Sequence, residues 1–324
     1  MPHPSLLETL TTIRDYIRWG ATCFAEAGVF LGHGTATPLD EAAALVLHVI
    51  RQPHDLPGEY FSAVLTQEER ERIVHLVERR IAERVPLAYL THEAWFAGHK
   101  FYVDERVLVP RSPIAELIEN RFEPWLAPER VGNVLDLCTG SGCIAIACAY
   151  AFPAAQVDAV DLAPGALEVA RLNVRDHGLE DVVRLVCSDL YEELGKRRYD
   201  LIVSNPPYVS REEWRSLPRE YHAEPRLGLE AGEDGLDCVR RLLAGAGDHL
   251  EEDGILVVEV GASKDALRAV YPQVDFLWLE LERGGEGVFL LTAEQVRQYR
   301  EAFQFAVARA GHPPPAHRKR ALMP

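Results

Sequence analysis

Val134-Leu-Asp-Leu-Cys-Thr-Gly-Ser-Gly-Cys-Ile-Ala145 is the stretch whose reading decides the fold. An apolar run of strand type ends in an aspartate, two glycines follow with one residue between them, and small apolar residues then resume. This order predicts a strand that leaves through a tight turn into a buried helix. Gly140 and Gly142 let the backbone approach a ligand closely, and Ala145 permits tight helix packing where a third glycine would otherwise stand. A dinucleotide's pyrophosphate is seated on a helix N-terminus by a similar loop. The glycines alone therefore leave the ligand open.

Outward from that turn the pattern recurs. Gln156-Val-Asp-Ala-Val-Asp161, Val182-Val-Arg-Leu-Val-Cys187, Tyr199-Asp-Leu-Ile-Val-Ser204 and Gly254-Ile-Leu-Val-Val-Glu-Val260 are apolar, β-branched runs separated by helical segments. Strand alternating with helix predicts an α/β, Rossmann-like domain with a mostly parallel sheet, whose ligands sit at the carboxyl ends of the strands. Three aspartates fall at such ends. Asp136 would repel a pyrophosphate but pair well with the ammonium group of a methionine-type ligand. Asp161, followed by Leu162, lies about 20 residues beyond the glycine turn, the position from which a carboxylate accepts ribose hydroxyls. Asp189, in Cys-Ser-Asp-Leu, is placed to accept an adenine amino group. Any one of them reads equally well as a helix cap or turn residue. Three at successive strand ends, with Thr139 in the turn, point to a nucleoside ligand that is cationic at one end.

Ser204-Asn-Pro-Pro-Tyr208 follows the Tyr199 run and is far more specific. Two adjacent prolines hold φ near −65° and remove N–H donors, so the loop presents stiff carbonyl acceptors. An amide or aromatic amine nitrogen is a poor nucleophile because its lone pair is delocalised. Hydrogen bonds from its N–H groups to the Asn205 side-chain oxygen and the Pro206 carbonyl would align it with a sulfonium methyl and stabilise developing positive charge. Tyr208 would pack its ring on the planar amide, keep the site dry and add cation–π attraction. A bare Asn-Pro would be an ordinary turn. Asn205, Pro206, Pro207 and Tyr208 after a buried strand are candidate catalytic and substrate-binding residues, and Asn205 is a candidate cofactor contact as well.

Composition sets the outer bounds. The chain has 324 residues, 48% hydrophobic and 26% charged, the make-up of a globular protein of two domains at about 150 residues each. Neither an apolar run of the roughly 18 residues needed to span a bilayer nor a secretory leader is seen, so the expectation is a cytoplasmic protein without membrane contact. The formal net charge of −16 opposes bare nucleic acid and favours a basic protein partner. Six cysteines form no C-x-x-C pair and read as reduced thiols, three of them in what reads as one buried helix. His92-Glu93 lacks the second histidine of an H-E-x-x-H helix, and no metal is expected.

Up to about residue 94 the pattern is helical, as in Glu41-Ala-Ala-Ala-Leu-Val-Leu-His-Val-Ile50. Four regions follow from this: a helical substrate-recognition domain at 1–94, a β-hairpin connector at 95–110, the α/β domain at 111–310, and a proline-rich, basic, flexible tail at 311–324 that holds Arg318-Lys319-Arg320. There are no internal repeats, and oligomeric state is not legible.

The Asp136 loop, Asp161 and Asn205-Pro-Pro-Tyr208 resemble the class I methyltransferases that alkylate exocyclic amino or amide nitrogens. The helical N-terminal part, the hairpin and Val107-Leu-Val-Pro-Arg-Ser-Pro-Ile-Ala-Glu116 resemble the HemK-like protein glutamine methyltransferases, from about Thr35 to Thr292. That resemblance implies S-adenosylmethionine as cofactor, S-adenosylhomocysteine as product, and methylation of a glutamine side-chain amide nitrogen. Leu31-Gly-His-Gly-Thr35, Ala94-Trp-Phe-Ala-Gly-His-Lys-Phe-Tyr-Val-Asp-Glu-Arg106 and the Arg111-Ser-Pro variant are similar to the branch that modifies a basic large-subunit ribosomal protein. The release-factor branch usually has a proline after that arginine. It remains an alternative, with a DNA amino-methyltransferase and a non-catalytic assembly factor as more distant ones. The resemblance also implies that Arg111 and Glu116 either reach the cofactor and substrate region or brace the domain junction, and that Glu224-Pro-Arg-Leu-Gly-Leu-Glu-Ala-Gly-Glu-Asp-Gly-Leu236 lies near the pocket. Arg111 is a candidate substrate-binding residue on this ground.

Overall fold

A computed structural model of the chain describes residues 4–311. Five helices come first: α1 (Pro4–Thr9), α2 (Ile13–Glu26), α3 (Pro38–Val49), α4 (Gln67–Glu83) and α5 (Leu87–Thr91). Thr12, Thr37 and Thr66 start α2, α3 and α4 with reciprocal capping boxes to Asp15, Asp40 and Glu69, which satisfy two otherwise orphaned backbone donors at each helix start. One face of each is buried, and Tyr16, Phe24, Leu45, Val46, Ile73 and Val77 meet in a single core.

The connector is a shorter hairpin than the sequence predicts. Only β1 (Ala94–Phe96) and β2 (His99–Phe101) pair, antiparallel, and residues 102–110 run on as irregular chain. The β-branched residues that suggested a longer strand, Val103, Val107 and Val109, are instead buried one by one, so tertiary packing has overridden their strand preference.

The remainder winds through α6 (Ile114–Glu119), β3 (Asn133–Leu137), α7 (Cys143–Ala151), β4 (Gln156–Asp161), α8 (Pro164–Asp176), β5 (Val183–Cys187), β6 (Tyr199–Ser204), α9 (Arg211–Ser216), α10 (Asp237–His249), β7 (Leu250–Glu259), α11 (Lys264–Val270), β8 (Leu277–Trp278), β9 (Val288–Thr292), α12 (Ala293–Gln298) and α13 (Arg300–Arg309). Seven strands form one sheet in the order β5-β4-β3-β6-β7-β9-β8. The first five run parallel, and β9 is antiparallel to both β7 and β8. Apolar clusters lie on both faces, one around Leu135, Ile202 and Leu256, the other around Val134, Leu201 and Val257. Burial on both faces is why the parallel strands read as continuous apolar runs and not as alternating ones.

From β3 the chain order proceeds outward through β4 and β5 on one side and resumes with β6 on the other. That reversal opens a crevice at the carboxyl ends of β3 and β6. Of the expected tail only Gly311 falls within the described residues. No helix among them is long and apolar enough to cross a membrane.

Candidate active site

The crevice is assembled by bonds between strand exits. Thr139 N donates to Val160 O at 2.9 Å and Ser188 N to Asp161 O at 3.0 Å, while Ser204 Oγ donates to Leu137 O at 2.7 Å. The exits of β3, β4, β5 and β6 are thereby held side by side, and a cavity of about 330 Å³ opens above them. Thr139, Gly140, Asp161, Leu162, Asp189 and Asn205 all line it, as do Pro207 and Arg111.

Gly140 adopts φ +55°, a region costly for residues with a Cβ. An added Cβ would meet nothing within 4 Å, so the backbone there is open to close approach. Gly142 serves differently. It stands at φ +81° before α7, and a Cβ would press on Ala170 at 3.3 Å; it allows helix packing and does not reach the cavity wall. Asp161 accepts from Gly140 N at 2.9 Å and Ala163 N at 2.8 Å. Burial raises its pKa, opposed by those backbone bonds.

Asp136 departs from the expected ammonium contact. Its side chain is fully buried under the turn, where Oδ2 accepts from Thr139 Oγ1 at 2.5 Å and Ala145 N at 3.1 Å. Oδ1 has no hydrogen-bond partner among the described residues. The carboxylate thus holds the turn in shape, leaving one unpaired acceptor beneath it. Burial pushes its pKa up to about 7 from an ordinary 3.8. The folded state therefore binds a proton that the unfolded state has lost between about pH 4 and pH 7, and stability falls as pH rises through that window. Asp136→Asn is expected to flatten the slope of melting temperature against pH between these limits, as calorimetry would show; an unchanged slope would mean that the carboxyl is ionised throughout.

Asp189 reaches the wall, but its Oδ2 pairs with Arg241 at 2.8 Å. Arg241 also lines the cavity, and its position on α10 bore no sequence signal. Within the tetrapeptide, Asn205 and Pro207 face the cavity, Pro206 is buried, and Tyr208 stands behind the wall. Among the described residues none hydrogen-bonds the Asn205 carboxamide, so its oxygen is free to accept. The Tyr208 hydroxyl donates to Glu259 Oε1 at 2.9 Å, and Ser112 Oγ donates to Glu259 Oε2 at 2.5 Å. Burial raises the Glu259 carboxyl, with the Ser112 and Tyr208 bonds opposing. This buried group holds the Tyr208 hydroxyl.

Arg111 lines the cavity with its guanidinium already engaged. Glu224 takes both nitrogens, at 2.6 and 2.8 Å, and also accepts from Val109 N at 2.9 Å. His33 Nε2 from the helical part lies 3.3 Å from the same carboxylate. Burial would raise Glu224, but the His33 contact and the Arg111 charge hold it down to about 2. One turn earlier Glu220 accepts from Phe30 N at 3.1 Å and contacts Arg80 at 3.4 Å. Two carboxylates thus tie the helical part to residues 225–232, and Pro225, Leu227, Glu230 and Gly232 of that segment wall the cavity. Glu116 is remote from the wall and instead accepts from Glu282 N and Arg283 N, at 2.8 and 2.9 Å. Of three cysteines read as one helix, Cys143 and Cys148 lie on α7, while Cys138 sits in the turn before it at φ +61°.

Residues 121–217 match the family model for the methyltransferase small domain. Among solved structures, a T. thermophilus 16S rRNA N2 G1207 methyltransferase in complex with AdoMet and guanosine is 19% identical, covering 62% of this chain and 49% of that one at a TM-score of 0.43. That likeness is too slight to inform function. Much nearer are the ribosomal protein uL3 glutamine methyltransferases of Neisseria meningitidis serogroup A (strain Z2491) and serogroup B (strain MC58), each 51% identical over 290 residues, or 89% of this chain and 95% of the relative. Similarity of that depth over nearly the whole of both chains places this protein in the ribosomal protein uL3 glutamine methyltransferase family.

Proposed function

We propose that the protein transfers a methyl group from S-adenosylmethionine to the side-chain amide nitrogen of a glutamine in ribosomal protein uL3, acting in the cytoplasm. The observation that carries this reading is the juxtaposition of Asn205, its carboxamide unpartnered, with Asp161 and the open Gly140 backbone on one cavity at the switch point of the sheet. The 51% identity to relatives of that name supports the choice of acceptor over release factors or DNA. The net charge of −16 suits a basic ribosomal protein.

The residues present fit the cofactor. Asp161 offers carboxylate acceptors to the ribose, Thr139 and Gly140 the turn against which it lies, Leu162 an apolar lid half exposed at the rim, and Asp189 an acceptor for the adenine amino group. The unpaired Oδ1 of Asp136 leaves one acceptor beneath the turn on which the cofactor would lie. Bound S-adenosylmethionine supplies an electrophilic methyl on a sulfonium centre.

The protein's own residues then have to make an amide nitrogen act as a nucleophile. Asn205 Oδ1 and the Pro206 carbonyl accept the two N–H groups of the glutamine, turning its nitrogen lone pair toward the methyl and stabilising positive charge as it forms. Pro206 and Pro207 keep that loop stiff. Tyr208, held by Glu259, supports it from behind and excludes water. No strong base is needed before transfer, because the nitrogen becomes acidic only as it is alkylated and its proton then passes to bulk water. The helical region at 1–94 is assigned to substrate recognition, in view of its carboxylate ties to the cavity wall.

Asp161→Ala is expected to raise the dissociation constant for S-adenosylmethionine about tenfold through lost hydrogen bonds. Calorimetric titration measures this, and an unchanged constant would remove Asp161 from the site. The reading as a whole is tested by offering labelled S-adenosylmethionine with unmodified large-subunit ribosomal proteins, release factors and DNA in parallel. Label confined to a glutamine of uL3 is the expected result. Label on release factors alone would transfer the assignment to them, and label on none would end the catalytic reading.

A further inference from the structure

Two thiols in the cavity wall take no part in methyl transfer. Cys138 follows β3 and Cys238 lies in the first turn of α10, and both line the cavity. Their sulfurs are 3.8 Å apart although the residues are 100 positions apart in the chain. All six cysteines are free. Cys138 also occupies a left-handed conformation, φ +61°, where a residue with a Cβ is disfavoured.

We propose that Cys138 and Cys238 are a modification site, an oxidisable dithiol that peroxide-class oxidants convert into a disulfide closing the cavity to its cofactor. The consequence for the cofactor rests on the methyltransferase reading above; the disulfide does not.

The chemistry balances with peroxide as the named oxidant. One thiolate attacks a peroxide oxygen, the O–O bond breaks, water leaves and a sulfenic acid remains. The second thiol attacks that sulfur, forming the S–S bond and releasing a second water. Overall the two thiols lose two protons and two electrons, and hydrogen peroxide is reduced to two waters. The bond to Cys238, burial, and the Asp161 and Asp136 carboxylates all raise the Cys138 thiol. Whichever thiol attacks first, the other lies within reach to resolve.

A disulfide needs sulfurs about 2.05 Å apart, well inside the present 3.8 Å. Closing that gap draws the start of α10 toward the turn that carries Thr139 and Gly140. Thr139, Gly140 and Asp237 line the same cavity, so the cavity narrows where the cofactor lies. A bound cofactor, conversely, screens both sulfurs.

The test treats the full-length Cys187→Ser protein with hydrogen peroxide, because Cys187 is exposed and would consume oxidant. Peptide mapping under non-reducing conditions should find a Cys138–Cys238 link, slower to form when S-adenosylmethionine is present. Titration should show affinity for S-adenosylmethionine reduced at least about tenfold and restored by dithiothreitol. Cys138→Ser and Cys238→Ser, each compared with itself before and after peroxide, should show no such reversible loss. A link through Cys143, both thiols still alkylatable after oxidation, or a link that leaves affinity unchanged would each overturn the proposal. If the reduced protein fails to bind S-adenosylmethionine at all, the cofactor reading fails, while the mapping still decides whether the pair forms.

Discussion

Asn205→Ala is expected to lose methyl transfer by a factor of about 10²–10³ while binding S-adenosylmethionine nearly as tightly as the parent protein. The magnitude follows from removing one preorganised acceptor from a water-poor site. The direction follows from the division of labour in the cavity. On the proposed reading Asp161 and the Gly140 turn take the cofactor's nucleoside, whereas the carboxamide of Asn205, on the same cavity, has no partner among the described residues and Pro206 beside it is buried. Removing the carboxamide leaves the Gly140 turn and the Asp161 carboxylate in place. Single-turnover transfer to uL3, paired with calorimetric titration of the cofactor, separates the two quantities. A parallel collapse of affinity would show that Asn205 chiefly holds the cofactor, and the account of amide activation would fail.

Glu224→Ala is expected to be the most destabilising change at the site. The Glu224 side chain is fully buried, and its carboxylate holds Arg111, Val109 N and His33 together. Its pKa lies near 2, against an ordinary 4.5. At about 1.4 kcal/mol per pKa unit the shift corresponds to stabilisation on the order of 3 kcal/mol, within the range of about 3–5 kcal/mol seen when one partner of a buried pair is removed. Because the folded pKa is depressed, that stabilisation is fully present above about pH 4.5 and is lost as pH falls toward 2. Urea unfolding at pH 7 and at pH 3 therefore gives a variant deficit that shrinks in acid. A deficit independent of pH would mean that the cost is one of packing alone. Combined Glu224→Ala and Arg111→Met should recover part of the loss, since no buried charge is then left unpaired.

The Glu224 carboxylate also links the helical part of the chain to the cavity wall. Residues 225–232 wall the cavity, and the two carboxylates preceding them, Glu220 and Glu224, are held by Phe30, Arg80 and His33. A substrate gripped by the helices would therefore meet a wall already braced against them.

Much of this site was legible in the sequence, for a local reason. Gly140, Asp161, Asn205 and Pro207 lie within a few residues of a strand end, and strand runs are readable from their β-branched, apolar composition. Once the strands are placed parallel, their exits must lie together, and so must those residues. Asp136 was placed correctly at its strand end, but its side-chain direction was not readable. Whether a carboxylate turns toward a ligand or back under its own turn depends on Thr139 Oγ1 and Ala145 N, whose approach is set by the fold of the loop.

The contacts that no local pattern could reveal join residues far apart in the chain. Arg111 and Glu224 are 113 positions apart, Ser112 and Glu259 147, and Cys138 and Cys238 100. The hairpin is shorter than the sequence predicts for a related reason: Val103, Val107 and Val109 have strand-forming side chains, but they pack in a small cluster with Ala88, Tyr89, Ala166 and Val169 and not along a ladder. The amino-acid order by itself determined the alternation of strands and helices, the glycine turn and the stiff Asn-Pro-Pro-Tyr loop, because each depends on periodicity and on backbone restrictions intrinsic to its residues. Only the tertiary structure decided which carboxylates face the cavity and which are consumed as struts, because a buried charge takes whichever partner packing brings to it, whether from its own turn, as for Asp136, or from more than a hundred residues away, as for Glu224.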